Sequence, residues 1–251
     1  MWRKNKFKMK LFLSGSCSHR YCEADLKNAL YVLESFFYIK EWQIPYIKHV
    51  WKDFLLDSGA FTFINSSKKE KNFDEYLNKY IQFINQHDIK NFFELDIDCI
   101  IGYEKVLKYR EALEKGTNKR CIPVWHKTRG KHEYIKLCKE YDYIAIGGFA
   151  IKEIMPKDYN IIPILLNIAK KYNCKVHALG FTPKNIQKYK FYSADSVTWL
   201  SGPIYGKLYY FKNDELHVIN KEKNKRIKDY KNLTRYNLKE WIKFQKYLYR
   251  K

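Results

Sequence analysis

The sequence predicts an α/β fold, a (β/α)8 TIM barrel with a basic C-terminal hairpin and helix. Three observations point there. Short apolar runs rich in β-branched and aromatic residues alternate with stretches of helical periodicity, the pattern of a parallel sheet covered by helices. Seven such runs are followed by a plausible eighth. The chain has 251 residues, the size of one such barrel. A doubly wound open sheet is the alternative arrangement, but no G-x-G-x-x-G turn supports a dinucleotide site in it.

The first strand is Lys10–Ser14, an apolar run halted by Gly15. Further strands are expected at 54–57, 92–98, 121–126, 143–147, 175–180 and 191–197, with the eighth at 207–211. Helical patterns fill the gaps. Phe73–His87 carries Tyr76, Tyr80, Ile81 and Ile84 at helical spacing behind the acidic start Asp74-Glu75. Residues 103–115, 131–140 and 161–172 repeat that pattern. A short helix over 184–190 follows Thr182-Pro183, a helix-start pair. The boundary expected from composition puts a catalytic barrel in 1–202 and a basic segment that completes it in 203–251. From Pro203 onward there are 14 Lys+Arg against 5 Asp+Glu. A hairpin over 208–219 and a helix from about Asn237 are expected there. The helix interleaves aromatic and basic residues (Trp241, Lys243, Phe244, Lys246, Tyr247), which suits either a nucleic-acid face or a stripe packed on the barrel.

Composition excludes several classes. An 18% aromatic and 46% hydrophobic content supports a core and rules out intrinsic disorder. No apolar run reaches the roughly 18 residues of a membrane span. The basic N-terminus runs into Leu11-Phe12-Leu13 and then Ser14-Gly15-Ser16, which reads as a strand end and not a signal peptide. The net charge of +21 favours a polyanionic partner, nucleic acid before an anionic membrane. Six irregularly spaced cysteines read as reduced thiols of a cytoplasmic protein. Cys17, His19 and Cys22 form a C-x-H-x2-C run, but a structural zinc site needs a fourth ligand, and no metal or other cofactor is expected.

The chemistry collects at the C-terminal ends of the expected strands, where a barrel builds its active site. Asp57, the pair Asp96 and Asp98, His126, Gly147-Gly148, Gly180 and Asp195 all fall there. Several acids at one mouth of a strongly basic protein point to function, because an unpartnered buried carboxylate is costly. Such a set suits either a divalent metal or glycosidic-bond chemistry. Metal hydrolysis would usually bring more histidines than His126. Glycosyl transfer needs two carboxyl groups on opposite sides of an anomeric carbon, and Asp195 and Asp57 could supply them across the mouth.

Four segments then resemble, in order, motifs of the tRNA-guanine transglycosylase superfamily. Asp57-Ser58-Gly59-Ala60-Phe61-Thr62 resembles D-S-G-G-[FY]-Q; Ala145-Ile146-Gly147-Gly148-Phe149-Ala150 resembles A-I-G-G-L-A; Ala178-Leu179-Gly180 resembles L-M-G; and Ala194-Asp195-Ser196-Val197 resembles F-D-C-V. The shorter, basic form is similar to phage-type members that insert 7-deazaguanines into DNA. The resemblance implies a TIM-barrel enzyme that exchanges guanine in DNA, or alternatively in tRNA, for a free 7-deazaguanine such as queuine. It needs no cofactor. It implies that Asp195 is the nucleophile of a covalent glycosyl-enzyme and Asp57 the general acid/base. Asp96, with Asp98 as competitor, would hold the N1/N2 edge of guanine. His126 stands where the family has a base-contacting Gln, the Gly147 and Gly148 amides would reach the base carbonyl, Phe61 and Leu179 would sandwich the ring, and Ser58 and Gly180 belong to the same motifs. The family's zinc subdomain is absent, since no Cys follows Cys174, and Ala60, Thr62 and Thr198-Trp199 depart from its pattern. Two other classes stay open: a nucleic-acid-binding barrel without exchange activity, and a metal-dependent hydrolase that a chelator would stop.

Overall fold

The computed structural model describes residues 8–59, 62, 72–222 and 225–250. Seven parallel strands form one curled sheet. They are β1 (Lys10–Ser14), β2 (Tyr31–Ser35), β3 (Asp53–Asp57), β4 (Val124–Trp125), β5 (Tyr143–Ile146), β6 (Lys175–Ala178) and β7 (Ser193–Ser196). Their order is β3-β2-β1-β7-β6-β5-β4. The edge strands β3 and β4 are joined through residues 91–94 by two isolated parallel bridges, Leu56 with Phe92 and Phe93 with Ile122. Four backbone hydrogen bonds make this link: Leu56 to Asn91 (3.0 Å), Phe93 to Leu56 (3.0 Å), Ile122 to Phe92 (2.8 Å) and Glu94 to Ile122 (3.1 Å). The result is a TIM-like α/β sheet whose curl is bridged, but not closed by a full strand.

Helices between the strands are α1 (Glu23–Leu26), α2 (Ile44–His49), α3 (Phe73–His87), α4 (Asp98–Ile101), α5 (Tyr103–Thr117), α6 (Gly130–Glu140) and α7 (Ile161–Lys171). After β7 come α8 (Ser201–Tyr205), an antiparallel hairpin of β8 (Lys207–Lys212) and β9 (Glu215–Asn220), and the long α9 (Tyr230–Arg250). Strand alternation splits the core into two layers. Phe12, Tyr31, Leu33, Leu55, Phe93, Ile122, Val124 and Ala145 fill the inside of the curl. Their strand neighbours Leu11, Leu13, Val32 and Leu56 face outward under the helices.

The sequence reading misses β2 and misplaces the eighth strand. Residues 207–211 lie in β8, which pairs with β9 alone, around Asn213 and Asp214, both at positive φ (51° and 66°). The physical reason is visible in burial. Tyr31–Ser35 is buried on both faces, like a parallel strand, whereas Lys207–Lys212 buries only Tyr209 fully, like a ribbon with one wet side. The expected strand at 92–98 shrinks to bridges at Phe92 and Phe93, because Asp98 already begins α4. The expected helix at 184–190 is a single 3-10 turn, Ile186–Lys188. The tail helix begins at Tyr230, ahead of Asn237, because Asp229 caps it by accepting from the Asn232 amide at 3.1 Å.

The α9 helix packs on the sheet and the hairpin. Gln245 accepts from the Leu30 amide (2.7 Å) and donates to the carbonyls of Leu11 (2.6 Å) and Tyr31 (2.8 Å). Asn237 accepts from the Tyr209 amide, and Glu240 from the Phe211 amide. Trp241 and Phe244 of this helix are packing residues, buried against Tyr209 and Phe211, whereas Tyr230 and Tyr236 are exposed.

Candidate active site

A cavity of about 430 Å³ opens at the C-terminal ends of the strands. It is lined by Asp57 from β3, Asp96 from the bridging segment, His126 after β4, Gly147 and Gly148 after β5, Leu179 and Gly180 after β6, and Asp195 from β7. Eight residues picked from sequence thus share one wall. Each sits where a strand stops and its chain turns to a helix, which aims the side chain into the mouth.

The two principal acids have unlike surroundings. Burial, then the nearby Asp96 and Asp195 carboxylates, push the Asp57 carboxyl up to about 7, and the amides of Gly59 and Ser58 pull back against this. The Gly59 amide donates to Asp57 Oδ2 at 2.9 Å. Asp195 instead sits in a cluster of donors. The Gly180 amide (2.6 Å) and His177 Nε2 (3.3 Å) meet its Oδ1, and the Ser14 hydroxyl meets its Oδ2 at 3.2 Å.

His126 bridges two acids. Nε2 lies 3.3 Å from Asp96 Oδ2 and Nδ1 lies 3.0 Å from Glu153 Oε2. Burial alone would lower its pKa, but the bonds to Asp96 and Glu153 raise it to about 10. Both ring nitrogens are therefore engaged with carboxylates, and His126 orients Asp96 instead of offering a nitrogen to a ligand. Partial burial of the Glu153 carboxyl opposes its ionisation, yet His126 and the Thr128 amide hold it below its usual range.

Gly147 and Gly148 are required by shape. A Cβ at Gly147 would stand 2.8 Å from His126 Cε1 and 2.9 Å from Val124 Cγ1. Gly148 has φ +88°, and a Cβ there would stand 2.9 Å from Glu153 Oε2. The expectation that both amides face a ligand needs correction. The Gly147 amide donates to the Trp125 carbonyl at 2.9 Å, which continues the sheet ladder by one residue. The Gly148 amide lies past the end of that ladder.

Two other candidates fall outside the cavity. Asp98 begins α4 and pairs with Arg129 at 3.0 Å; burial opposes its charge, but Arg129 holds its carboxyl below the usual range. Arg129 also meets Glu94 at 3.1 Å, and Glu94 meets Arg110 at 2.6 Å. Asp98 thus belongs to a buried ion network under the site, and Asp96 is the acid that lines the cavity. Ser58 is fully buried behind Asp57, its carbonyl accepting from Tyr76 at 2.6 Å. Phe61 lies outside the described residues.

Sequence reasoning missed Ser14, Glu34, Ser35, Glu153, His177 and Thr182. Glu34 went unseen with the strand that carries it. It lines the cavity fully buried, accepts from the Ser16 amide at 2.8 Å, and is raised by burial to about 7. His177 lies in the quoted strand, two residues before Leu179 on the same face, so its period was the available signal. Of the C-x-H-x2-C run, Cys17 lines the cavity and Cys22 is buried elsewhere in the outer core. Among the described residues no three His, Cys, Asp or Glu side chains cluster as a metal site would require, and no helix is long and apolar enough to cross a membrane.

No protein-family model and no curated protein matches this sequence. Among solved structures, the chain is similar to the carboxyl transferase domain of Rhizobium etli pyruvate carboxylase with 3-bromopyruvate, at TM-score 0.50 and 12% identity over 98% of this chain and 49% of that one. The same domain with 3-hydroxypyruvate gives 0.50 and 13% over 98% and 49%. A variant with pyruvate gives 0.52 and 12% over 99% and 50%. The chain spans about half the length of those chains, and at such identity the likeness is one of fold.

Proposed function

We propose that the chain is a transglycosylase that exchanges guanine in a polynucleotide, DNA before tRNA, for a free 7-deazaguanine. In this reading the sheet and its bridges amount to a (β/α)8 barrel, with residues 91–94 standing in for a strand. One observation carries the proposal: Asp57 and Asp195, distant in sequence, line one cavity together with Asp96, Gly148, Leu179 and Gly180. The preference for DNA rests on the likeness to the shorter, basic phage-type sequences.

The division of labour follows from the surroundings of each group. An acid with a pKa of about 7 holds a proton at neutral pH and can release it. Asp195 Oδ2 attacks C1′ as the C1′–N9 bond breaks. The departing guanine keeps the bonding electron pair and takes the proton held by Asp57, leaving the sugar as an ester on Asp195. The incoming base gives its N9 proton to Asp57, and that nitrogen displaces Asp195 from C1′. Asp96 accepts from the adjacent N–H donors of a guanine edge, while the Gly148 amide donates to its carbonyl. Adenine offers the reverse pattern and would leave buried groups unpaired. A base inside a duplex must be flipped out to reach such a site.

The test is incubation with labelled guanine and, separately, duplex DNA, single-stranded DNA and tRNA. Label should enter one of them, through a protein–polynucleotide adduct that Asp195→Ala abolishes. Asp57→Ala should bind the polynucleotide without exchange. An adduct that persists without the Asp195 carboxylate overturns the assignment. Binding without any incorporation favours the non-catalytic nucleic-acid-binding reading.

A further inference from the structure

A chain of hydrogen bonds runs beneath Asp195, from three strands, and the exchange steps above do not use it. Tyr143 on β5 and Ser193 on β7 meet hydroxyl to hydroxyl at 2.6 Å. Ser193 Oγ lies 2.7 Å from His177 Nδ1 on β6. His177 Nε2 then lies 3.3 Å from Asp195 Oδ1. The imidazole is fully buried, with the rings of Phe93 and Phe12 at 5.3 and 6.0 Å. The bond directions are linked, because a carboxylate oxygen accepts only. His177 Nε2 must therefore donate to Asp195. With Nε2 carrying the hydrogen, Nδ1 is the acceptor for the Ser193 hydroxyl, and Ser193 Oγ in turn accepts from Tyr143. The tautomer is thus set from the Asp195 end, and the Ser193 and Tyr143 hydroxyls line up behind it.

We propose that His177 is a positioning residue for Asp195: it takes the Nε2–H tautomer that the carboxylate requires, and its ring is braced from behind by Ser193 and Tyr143. This rests on the reading of Asp195 as the nucleophile. Its consequence is a choice between the two carboxylate oxygens. Oδ1 takes both the Gly180 amide and His177, so it is fixed and electron-poor. Oδ2 meets only the Ser14 hydroxyl among the described residues, at 3.2 Å, and is the oxygen left to attack C1′. The bonds to Oδ1 also stop the carboxylate from rotating, which preserves the alignment of Oδ2. Misplacing a reacting atom by about 1 Å can cost about 10²-fold in rate.

The experiment combines histidine nitrogen NMR on the full chain with adduct kinetics. In the wild type, the His177 ring should show a protonated Nε2 and an unprotonated Nδ1. Ser193→Ala should shift the Nδ1 signal, and Asp195→Asn should shift Nε2. His177→Phe should slow adduct formation about 10²-fold with polynucleotide Kd unchanged, and His177→Gln, which keeps an N–H donor, should recover part of that rate. A protonated Nδ1 in the wild type overturns the proposal, as does a His177→Phe chain that forms the adduct at the normal rate. If His177→Phe does not fold, His177→Gln and the wild-type spectrum still decide. If the wild type forms no adduct with any polynucleotide, the nucleophile reading falls, while the spectrum accepts or rejects the His177 arrangement independently.

Discussion

Asp57 and Asp195 are the same residue type at the same end of one curled sheet, with β2 and β1 between their strands, yet their surroundings divide the work. Asp57 has a half-buried carboxyl near other acids; Asp195 has three donors around it. With the Asp57 pKa at about 7, adduct formation should fall as pH rises above about 7, because the proton for the leaving base is then gone. A rate profile over pH 5–9, run beside Asp57→Asn, checks this: the variant should be slow and lack that limb. A similar contrast separates Asp96 from Asp98. Asp98→Ala should leave base binding intact and lower stability by about 1–3 kcal/mol, since Arg129 loses a buried partner. Asp96→Ala should weaken base binding and also cost stability, because His126 loses one of its two carboxylate partners; loss of base binding in isothermal titration distinguishes it from Asp98→Ala.

The strands β1, β3, β4, β5, β6 and β7 were legible at the level of elements because each lies in a short apolar run, though β4 keeps only Val124–Trp125 of the expected 121–126. The β2 strand was not, because Glu34 breaks its apolar run and looks like surface in sequence. Only the Ser16 amide and its companions make that acid a buried one. The hairpin strand β8 offered a cleaner alternating pattern and took its place in the count. Close packing at strand ends yields a prediction. Gly147→Ala would press its methyl against His126 and Val124, so it should cost about 1–3 kcal/mol and loosen the His126–Asp96 pair. Thermal melts and the His126 titration report both effects. Helix α9 offers another: Gln245→Ala strands the Leu30 amide and two carbonyls, and should cost about 2–4 kcal/mol in a urea melt.

The whole molecule carries a charge of +21, and its consequence is testable without knowing the target sequence. Polynucleotide affinity should fall steeply between 50 and 200 mM salt, as phosphate contacts release counterions; a flat response would make the charge compositional. Three site groups make stability depend on pH in the same direction. Asp57 and Glu34, raised from 3.8 and 4.5 to about 7, stabilise the fold fully below those ordinary values and lose that contribution as pH rises through about 7. His126, raised from 6.5 to about 10, contributes below about 6.5 and loses its contribution as pH rises through about 10. The Tm should therefore decline from pH 5 to 10, and Asp57→Asn with Glu34→Gln should flatten the first part of that decline.

The sequence alone determined the α/β class, the order of most strands, and the list of residues at their C-terminal ends. These are local properties, read from runs of apolar residues and the turns that end them. The tertiary structure decided which of those residues meet. It brought Asp57, Asp96 and Asp195 to one cavity, sent Asp98 to Arg129, tied the Gly147 amide into the sheet, and set His177 beneath Asp195. Those outcomes depend on strand register and on partners 15 to 181 residues away in sequence, distances at which no local pattern carries information.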